Sequence, residues 1–390
     1  MTQPLALYIH WPFCLSKCPY CDFNSHVREK IDESLWRESL LKELAYFGQL
    51  TKGRPLKSIF FGGGTPSLMA PRTVGALLAQ ASQYWQVQDD LEVTLEANPT
   101  SIEANKFQDF KHAGINRVSI GIQALNNKDL KFLGRTHGRE EALKALGIAS
   151  NIFNRFSFDL IYARPEQSVK AWQEELQEAI NFVQGHLSLY QLTIEQGTAF
   201  YTAHQRKDFT IPDDHLAADL YEMTQEMMEK AGLPAYEISN HAKPGQESRH
   251  NLAYWQGQDY IGVGPGAHGR LTLNNAKFAF KGVRAPEIWM KAVLENDHGT
   301  DEKVELSAEE IFTERLMMGL RLRTGIPRKE LEQLAGNKTL ETTFQNSALK
   351  ILESENYIIL NKKSFTLTSS GLQRLNSILS FLLKNLIPLS

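Results

Sequence analysis

The chain has 390 residues, with 42 Lys+Arg against 45 Asp+Glu and a net charge of −3. At 42% hydrophobic and 22% charged residues it has the composition of an ordinary globular protein, and the charge balance excludes the basic excess of a general nucleic-acid binder. All 3 cysteines fall between positions 14 and 21, which excludes a disulfide framework and points to a reducing setting, the cytoplasm. The opening MTQPLALYIHWPF lacks the basic region and long apolar core of a signal peptide, and no apolar run reaches the ~20 residues that span a bilayer.

The first half alternates between two kinds of segment. Short apolar runs read as strands at 5–11, 57–64, 91–99, 116–125, 155–165 and 186–195. Helix patterns lie between them. Asp32 is a candidate N-cap for a helix carrying Trp36, Leu40, Leu44 and Phe47, and further helices follow Pro71 and Ser101. Others run over 139–149 and 168–183, and one with Leu216, Leu220, Met223 and Met227 ends near Gly232. Strand–helix–strand units in this order mean a parallel sheet, either doubly wound and open or curled as a (β/α) barrel.

Strand parity favours the barrel. Val118, Ile120 and Ile122 oppose Ser119, Gly121 and Gln123; Phe156, Phe158 and Leu160 oppose Ser157 and Asp159; Val93 and Leu95 oppose Thr94 and Glu96. In 189–193, Tyr190 and Leu192 are read against an inward pair, Gln191 and Thr193. A doubly wound sheet is apolar on both faces, whereas a barrel with a ligand-lined interior is polar on one.

After residue 300 the pattern changes to helices over 308–323 and 339–354, followed by two short strands around Asn361-Lys362-Lys363, as in a winged helix. The candidate recognition helix 340–355 carries Glu341, Glu353 and Glu355 beside Lys350, which suits DNA phosphates poorly. The stretch 372–390 is apolar at Leu375, Ile378, Leu379, Leu382, Leu383 and Leu386. It reads either as a helix packed on the wing or as a peripheral membrane contact. The expected units are 1–235, a connecting region 236–300 and 301–390.

Cys14, Cys18 and Cys21 form C-x3-C-x2-C directly after the first strand. A zinc site completed by His10 or His26 is one reading. An iron–sulfur cluster is the favoured one, and with three thiolates one iron of a four-iron cluster lacks a protein ligand.

This loop, with Tyr20 before its last cysteine, resembles the radical S-adenosylmethionine (SAM) family. More narrowly, YIHWPFCLSKCPYCDFNS is similar to the branch of oxygen-independent coproporphyrinogen III oxidases (HemN) and heme chaperones (HemW). The likeness continues through FFGGGTPS (60–67), LEANP (95–99), RVSIGIQALN (117–126), LGRTH (133–137), FDLIY (158–162), LYQLTIEQGT (189–198) and HNLAYW (250–255). It implies an α/β fold: an incomplete (β/α)6 TIM-like barrel of the radical SAM type with a C-terminal winged-helix-like HemN domain. It implies a [4Fe-4S] cluster on Cys14, Cys18 and Cys21, with SAM chelated at the free iron and cleaved by electron transfer. SAM would lie against Gly63, Gly64, Thr65, Glu96, Gln123, Arg135 and Asp159, with Tyr8, Tyr20, Thr193 and Ala267 as weaker matches. His250 would be a heme ligand.

Three departures matter. HemN-type oxidases carry a fourth cysteine where this chain has Phe23, and they have an extension before the first strand. Both count toward the chaperone branch. Tyr162-Ala163-Arg164-Pro165 stands where the family commonly has Gly-Leu before proline. The expectation is a heme chaperone with heme, recipient hemoproteins such as respiratory enzymes, and an electron donor as partners. A coproporphyrinogen oxidase is the alternative, and a winged-helix nucleic-acid binder is a lesser one.

Overall fold

The structure, a computed structural model, describes residues 3–345 and 347–389. Six strands, β1 (Leu5–Trp11), β2 (Pro55–Gly63), β3 (Gln86–Ala97), β4 (Arg117–Gln123), β5 (Arg155–Tyr162) and β6 (His186–Gln191), are hydrogen-bonded in sequence order, all parallel. The connections run through α1 (Glu33–Leu50), α2 (Pro71–Tyr84), α3 (Phe107–Ala113), α4 (Arg139–Ile152) and α5 (Val169–Ile180), while α6 (Asp214–Lys230) follows β6. Asp32 caps α1, its carboxylate accepting from the Ser34 and Leu35 amides. The helix expected after Ser101 is interrupted at Asn105, giving Ser101–Ala104 and then α3.

One face of each strand packs on these helices. Leu7, Ile59, Leu95, Ile120, Phe158 and Leu189 share a core with Trp36, Leu77, Phe110, Leu146 and Trp172. Each such fully buried side chain contributes roughly 2 kcal/mol of transfer free energy. The other face carries Tyr8, Glu96, Gln123, Asp159 and Ser188. In β6 the parity is the reverse of the expected one. Leu187 and Leu189 enter the helix-side core, and Ser188 and Tyr190 turn inward, while Gln191 donates to the Ala217 carbonyl of α6.

The segment after α6 is more than a connector. It adds β7 (Asn240–Ala242), α7 (Arg249–Trp255), β8 (Asp259–Val263), β9 (His268–Leu273), β10 (Ala276–Gly282), α8 (Pro286–Asn296) and β11 (Thr300–Glu305). The sheet therefore has 11 strands in the open order β11-β10-β9-β8-β1-β2-β3-β4-β5-β6-β7. β8 is parallel to β1, and the remaining additions are antiparallel to their neighbours. Glu43 of α1 fastens this extension: its carboxylate accepts from the Gly264 and Gly299 amides and the Trp289 indole, and Trp289 stacks on Trp36 at 5.3 Å.

The C-terminal module has its own core, built by α9 (Ala308–Gly319), α10 (Arg328–Leu334), α11 (Ala348–Ser354) and α12 (Leu375–Lys384). Strands β12 (Ile326–Pro327), β13 (Ile358–Leu360) and β14 (Ser364–Leu367) form a three-stranded sheet in which β13 and β14 are the wing. The helix expected over 339–354 is broken: Leu340–Thr343 ends at Phe344, which pairs with Leu386, and Ser347 adopts φ 52° before α11. Asn346, inside the segment read as a recognition helix, lies outside the described residues. Leu375, Ile378, Leu379 and Leu382 of α12 are buried in the module's core, so the face considered for membrane contact is the one that folds the module. No helix among the described residues is long and apolar enough to cross a membrane.

The departure at 162–165 has a conformational reading. Ala163 adopts φ 56°, the left-handed region that glycine occupies without strain. Arg164 is buried there and pairs with Glu175 and Asp129.

Candidate functional site

The C-terminal ends of β1–β5 converge on one pocket of about 160 Å³, lined by Cys14, Cys18, Cys21, Gly63, Gly64 and Thr65 on one side. Glu96, Asn98, Gln123, Arg135 and Asp159 line the other, and Tyr20 and Phe23 stand at its mouth.

Backbone geometry sets the cysteine loop. Phe13–Cys14 pairs with His26–Val27, so the loop is closed at its base. His10 Nε2 bonds the Asn24 carbonyl at 2.9 Å, and the Asn24 amide donates to the carbonyls of Pro265 and Arg284. The glycine segment at the end of β2 lies directly on the loop: the amides of Gly64 and Thr65 donate to the carbonyls of Trp11 and Phe13. Gly63 has φ 115°, and a Cβ there would sit 2.6 Å from His10 Cε1, so only glycine fits.

Each sulfur has a polar neighbour from a different part of the fold. Thr65 Oγ1 donates to Cys14 Sγ at 3.4 Å, Arg135 Nη1 to Cys18 Sγ at 3.2 Å, and Ser25 Oγ lies 3.7 Å from Cys21 Sγ. Burial pushes the Cys14 thiol up, partly offset by Thr65. Among the described residues no three His, Cys, Asp or Glu side chains converge on a single ion. The three thiols share one wall of the pocket.

Arg135 organises the opposite wall. Its Nη2 donates to Asn98 Oδ1 at 2.6 Å and to the Gly121 carbonyl at 2.9 Å, and its charge sits beside Tyr20 and Cys18. Asn98 also donates to Thr65, linking Arg135 to the glycine segment. Gln123 ends β4 at φ 76°, next to an irregularity in the β4–β5 register that re-aims its side chain. Gly121 makes room for it: a Cβ there would lie 3.0 Å from Gln123 Nε2 and 3.4 Å from Arg135 Nη2.

Two carboxyls lie at the floor. Burial, with Asp159 nearby, pushes Glu96 up to about 8, although the Gly63 amide donates to it at 3.3 Å. Burial pushes Asp159 up to about 6 against the opposing effects of Ser188 and Arg117. Asp159 Oδ1 and Arg135 Nε are buried without a partner among the described residues. A buried acceptor and a buried donor left open beside three thiols are what a polar ligand at a cluster would satisfy. The residues present therefore fit a [4Fe-4S] cluster on Cys14, Cys18 and Cys21 with SAM beside it.

Tyr20 touches the pocket and accepts from Arg135 at 3.5 Å. Thr193 lines an adjoining, larger cavity. Tyr8 hydrogen-bonds His10 Nδ1 at 2.9 Å and supports the pocket from behind. Ala267 is buried in the loop after β8, packed near Gly262, and does not line the pocket.

His250 is not brought to the site. It is 1% exposed, Nδ1 bonds Ser58 Oγ, Nε2 bonds Tyr254 Oη, and the ring stacks on Phe60 at 5.0 Å. With both nitrogens engaged it has none to offer a heme iron in this arrangement. Asn98 lines the pocket and Tyr190 the larger cavity, while Ser188 hydrogen-bonds Asp159; none of the three is among the expected site residues. Asn98 was within reach, since it sits in the LEANP segment two residues after Glu96.

The larger cavity, of about 1020 Å³, shares Tyr20, Phe23, Glu96, Gln123 and Asp159 with the pocket. It runs between β6, α6 and the C-terminal module, and Tyr190, Leu192, Tyr221, Ile238, Arg321 and Arg374 line it.

A family model described as the radical SAM superfamily matches residues 8–179, and one described as the HemN C-terminal domain matches residues 306–374. The chain is 40% identical over 391 residues (99% of this chain, 88% of the relative) to the Bos taurus protein named "Radical S-adenosyl methionine domain-containing protein 1, mitochondrial". It is 36% identical over 387 residues (97% and 98%) to the Haemophilus influenzae protein named "Heme chaperone HemW". The solved structure of HemN from Escherichia coli, described as a radical SAM enzyme, superposes with a TM-score of 0.82 at 20% identity, covering 98% of this chain and 90% of that one. Pocket, module and relatives agree, and the chain belongs to the radical SAM superfamily, in the HemN-like branch that includes the HemW heme chaperones.

Proposed function

We propose that the chain is a heme chaperone, holding a [4Fe-4S] cluster and SAM in the pocket and heme in the adjoining cavity, and passing heme to hemoproteins such as respiratory enzymes. The observation that carries this reading is the continuity of the two spaces, since five residues line both. A cavity this size at the mouth of the cluster pocket suits a ligand much larger than SAM.

Cys14, Cys18 and Cys21 hold the cluster. Gly63, Gly64 and Thr65 offer backbone to the amino-acid end of SAM, Gln123 and Arg135 contact it, and Glu96 and Asp159 accept from its hydroxyls. When bound, cluster and SAM supply one-electron chemistry at the sulfonium, fed by an external electron donor. Tyr20 and Phe23 stand where this pocket meets the larger cavity. Two things support chaperone over oxidase: Phe23 where oxidases carry a fourth cysteine, and relatives named HemW at 36% identity or above over most of the chain. Free cysteines call for a reducing compartment, which we take to be the cytoplasm.

The test is anaerobic iron–sulfur reconstitution followed by titration with SAM and with hemin, alongside a turnover assay on coproporphyrinogen III. A saturable heme absorbance band without protoporphyrinogen formation is expected. Robust protoporphyrinogen formation would replace this reading by the oxidase.

A further inference from the structure

The large cavity is electrically polarised. Its sheet end holds the carboxyls of Glu96 and Asp159, with Glu195 and Asp214 also on its lining. The wall built by the C-terminal module carries Arg321 and Arg374 instead. The Arg321 guanidinium lies 5.3 Å over the Trp255 ring and the Arg374 guanidinium 5.3 Å over the Tyr357 ring. Arg374 donates to the Ser370 carbonyl. Glu237 is near enough to sense Arg321, but its carboxylate is taken by Asn240 and the Ser239 amide. Neither arginine forms an ion pair among the described residues. Tyr221 also lines the cavity, and its hydroxyl is buried without a partner among the described residues.

Stacked guanidiniums are held flat, so little side-chain freedom remains to be lost when an anion arrives. Two cations without ion-pair partners and an orphaned hydroxyl donor on the lining of one cavity are suited to carboxylates. Apolar side chains, Leu192, Ile238, Leu372 and Leu375, line it as well.

We propose that Arg321 and Arg374, with Tyr221, form a carboxylate-binding subsite that orients a planar amphiphilic ligand by its acidic edge, the apolar body lying on Ile238, Leu372 and Leu375. This rests on the heme reading above, heme being a flat macrocycle with two propionate carboxylates on one edge. The acidic edge then points to the C-terminal module, because both cations stand there while the sheet end offers the Asp159 carboxyl, and the opposite edge faces the cluster pocket.

The test uses the cluster-loaded full chain and two probes, hemin and hemin dimethyl ester, titrated in one detergent buffer and followed by heme absorbance. Wild-type protein is expected to bind hemin about tenfold or more tightly than the ester, the difference expected for losing a charge-assisted hydrogen bond. Arg321→Gln and Arg374→Gln are expected to weaken hemin binding while leaving ester binding unchanged, which closes the gap. The comparison of probes on wild-type protein stands even where a variant folds poorly. Equal affinity of wild-type protein for hemin and ester overturns the subsite and leaves the heme reading intact. Failure to bind either probe overturns both.

Discussion

Ser58 Oγ and His250 Nδ1 lie 2.9 Å apart, both buried, and join β2 to the HNLAYW helix α7 across 192 positions of sequence. Ser58 stands on the strand that ends at Gly63 and leads into Gly64, so the bond braces the segment on which the cysteine loop rests. The Glu92 carboxylate accepts from the His250 amide, and the Trp255 carbonyl accepts from Arg315 of the C-terminal module. Burial holds the imidazole neutral, down to about 3. His250→Ala is expected to cost about 2–4 kcal/mol, from a cavity and two orphaned hydroxyls, while hemin affinity of the folded variant changes less than about twofold. Thermal melts and hemin titration of the same preparation check this. Loss of the heme band with stability retained would restore His250 as a ligand.

Arg135 touches Cys18 Sγ, Asn98 Oδ1 and the Gly121 carbonyl at once. Hydrogen bonds to cluster sulfurs shift the reduction potential, and losing such a partner costs about 10–100-fold in affinity or activity at metal sites. Arg135→Gln is expected to lower the cluster's potential and weaken SAM binding within that range. Arg135→Lys recovers only part, because a point charge cannot bridge three acceptors as a planar fork does. Equilibrium dialysis of SAM and redox titration of reconstituted protein measure the two effects. Unchanged values for the Gln variant would reduce Arg135 to a packing residue.

What could be read in advance followed from periodicity and spacing. The six parallel strands alternate one apolar face with one polar face, and the cysteine loop is compact in sequence. Strand β11, with the sequence TDEKVE, lacked that signal: it is an exposed charged edge, and nothing buried enforces alternation there. β8 has five residues, and its partner β1 lies far away in sequence, so its place in the sheet depends on contacts such as Glu43 with Gly264. The face of Tyr190 is not legible in sequence because β6 is short and polar at its end; the burial of Leu187 and Leu189 on the helices decides it. His250 shows the same limit for function. Histidine beside two aromatics suits a heme ligand in composition, yet partners such as Ser58 decide whether a nitrogen is free.

Glu96 makes the ligand-free protein sensitive to pH. Its folded value is about 8 against an ordinary 4.5, so between those values the folded chain retains a proton that the unfolded chain has released. Unfolding then becomes easier as pH rises, and this contribution is absent below about pH 4 and complete above about pH 8. Asp159, raised from 3.8 to about 6, acts in the same direction over a narrower window. Glu96→Gln keeps an acceptor for the Gly63 amide and removes the ionisation. The variant is expected to lose less thermal stability than wild type between pH 5 and 8, and to be the more stable of the two at pH 8 without ligand. Other buried acids, such as Glu43, affect both proteins alike. Parallel melting profiles for variant and wild type would show that Glu96 is already ionised without penalty.

Ala163 tests the loop after β5. Two effects of a Gly substitution oppose each other. At φ 56° an alanine bears left-handed strain of about 1–2 kcal/mol, which glycine relieves. Glycine also widens the unfolded ensemble, costing about 0.4–1 kcal/mol. Strain is the larger, so Ala163→Gly is expected to stabilise the chain by up to about 1 kcal/mol. The neighbouring Arg164 is buried and pairs with Glu175 and Asp129, so relaxation at 163 has little room to move the loop. SAM affinity should therefore stay within about twofold of wild type, since the pocket residue Asp159 lies earlier on β5. Denaturant melts of the two proteins measure the difference. A loss of stability in the Gly variant would mean that Ala163 contributes packing beyond its backbone, through a buried methyl group that glycine lacks.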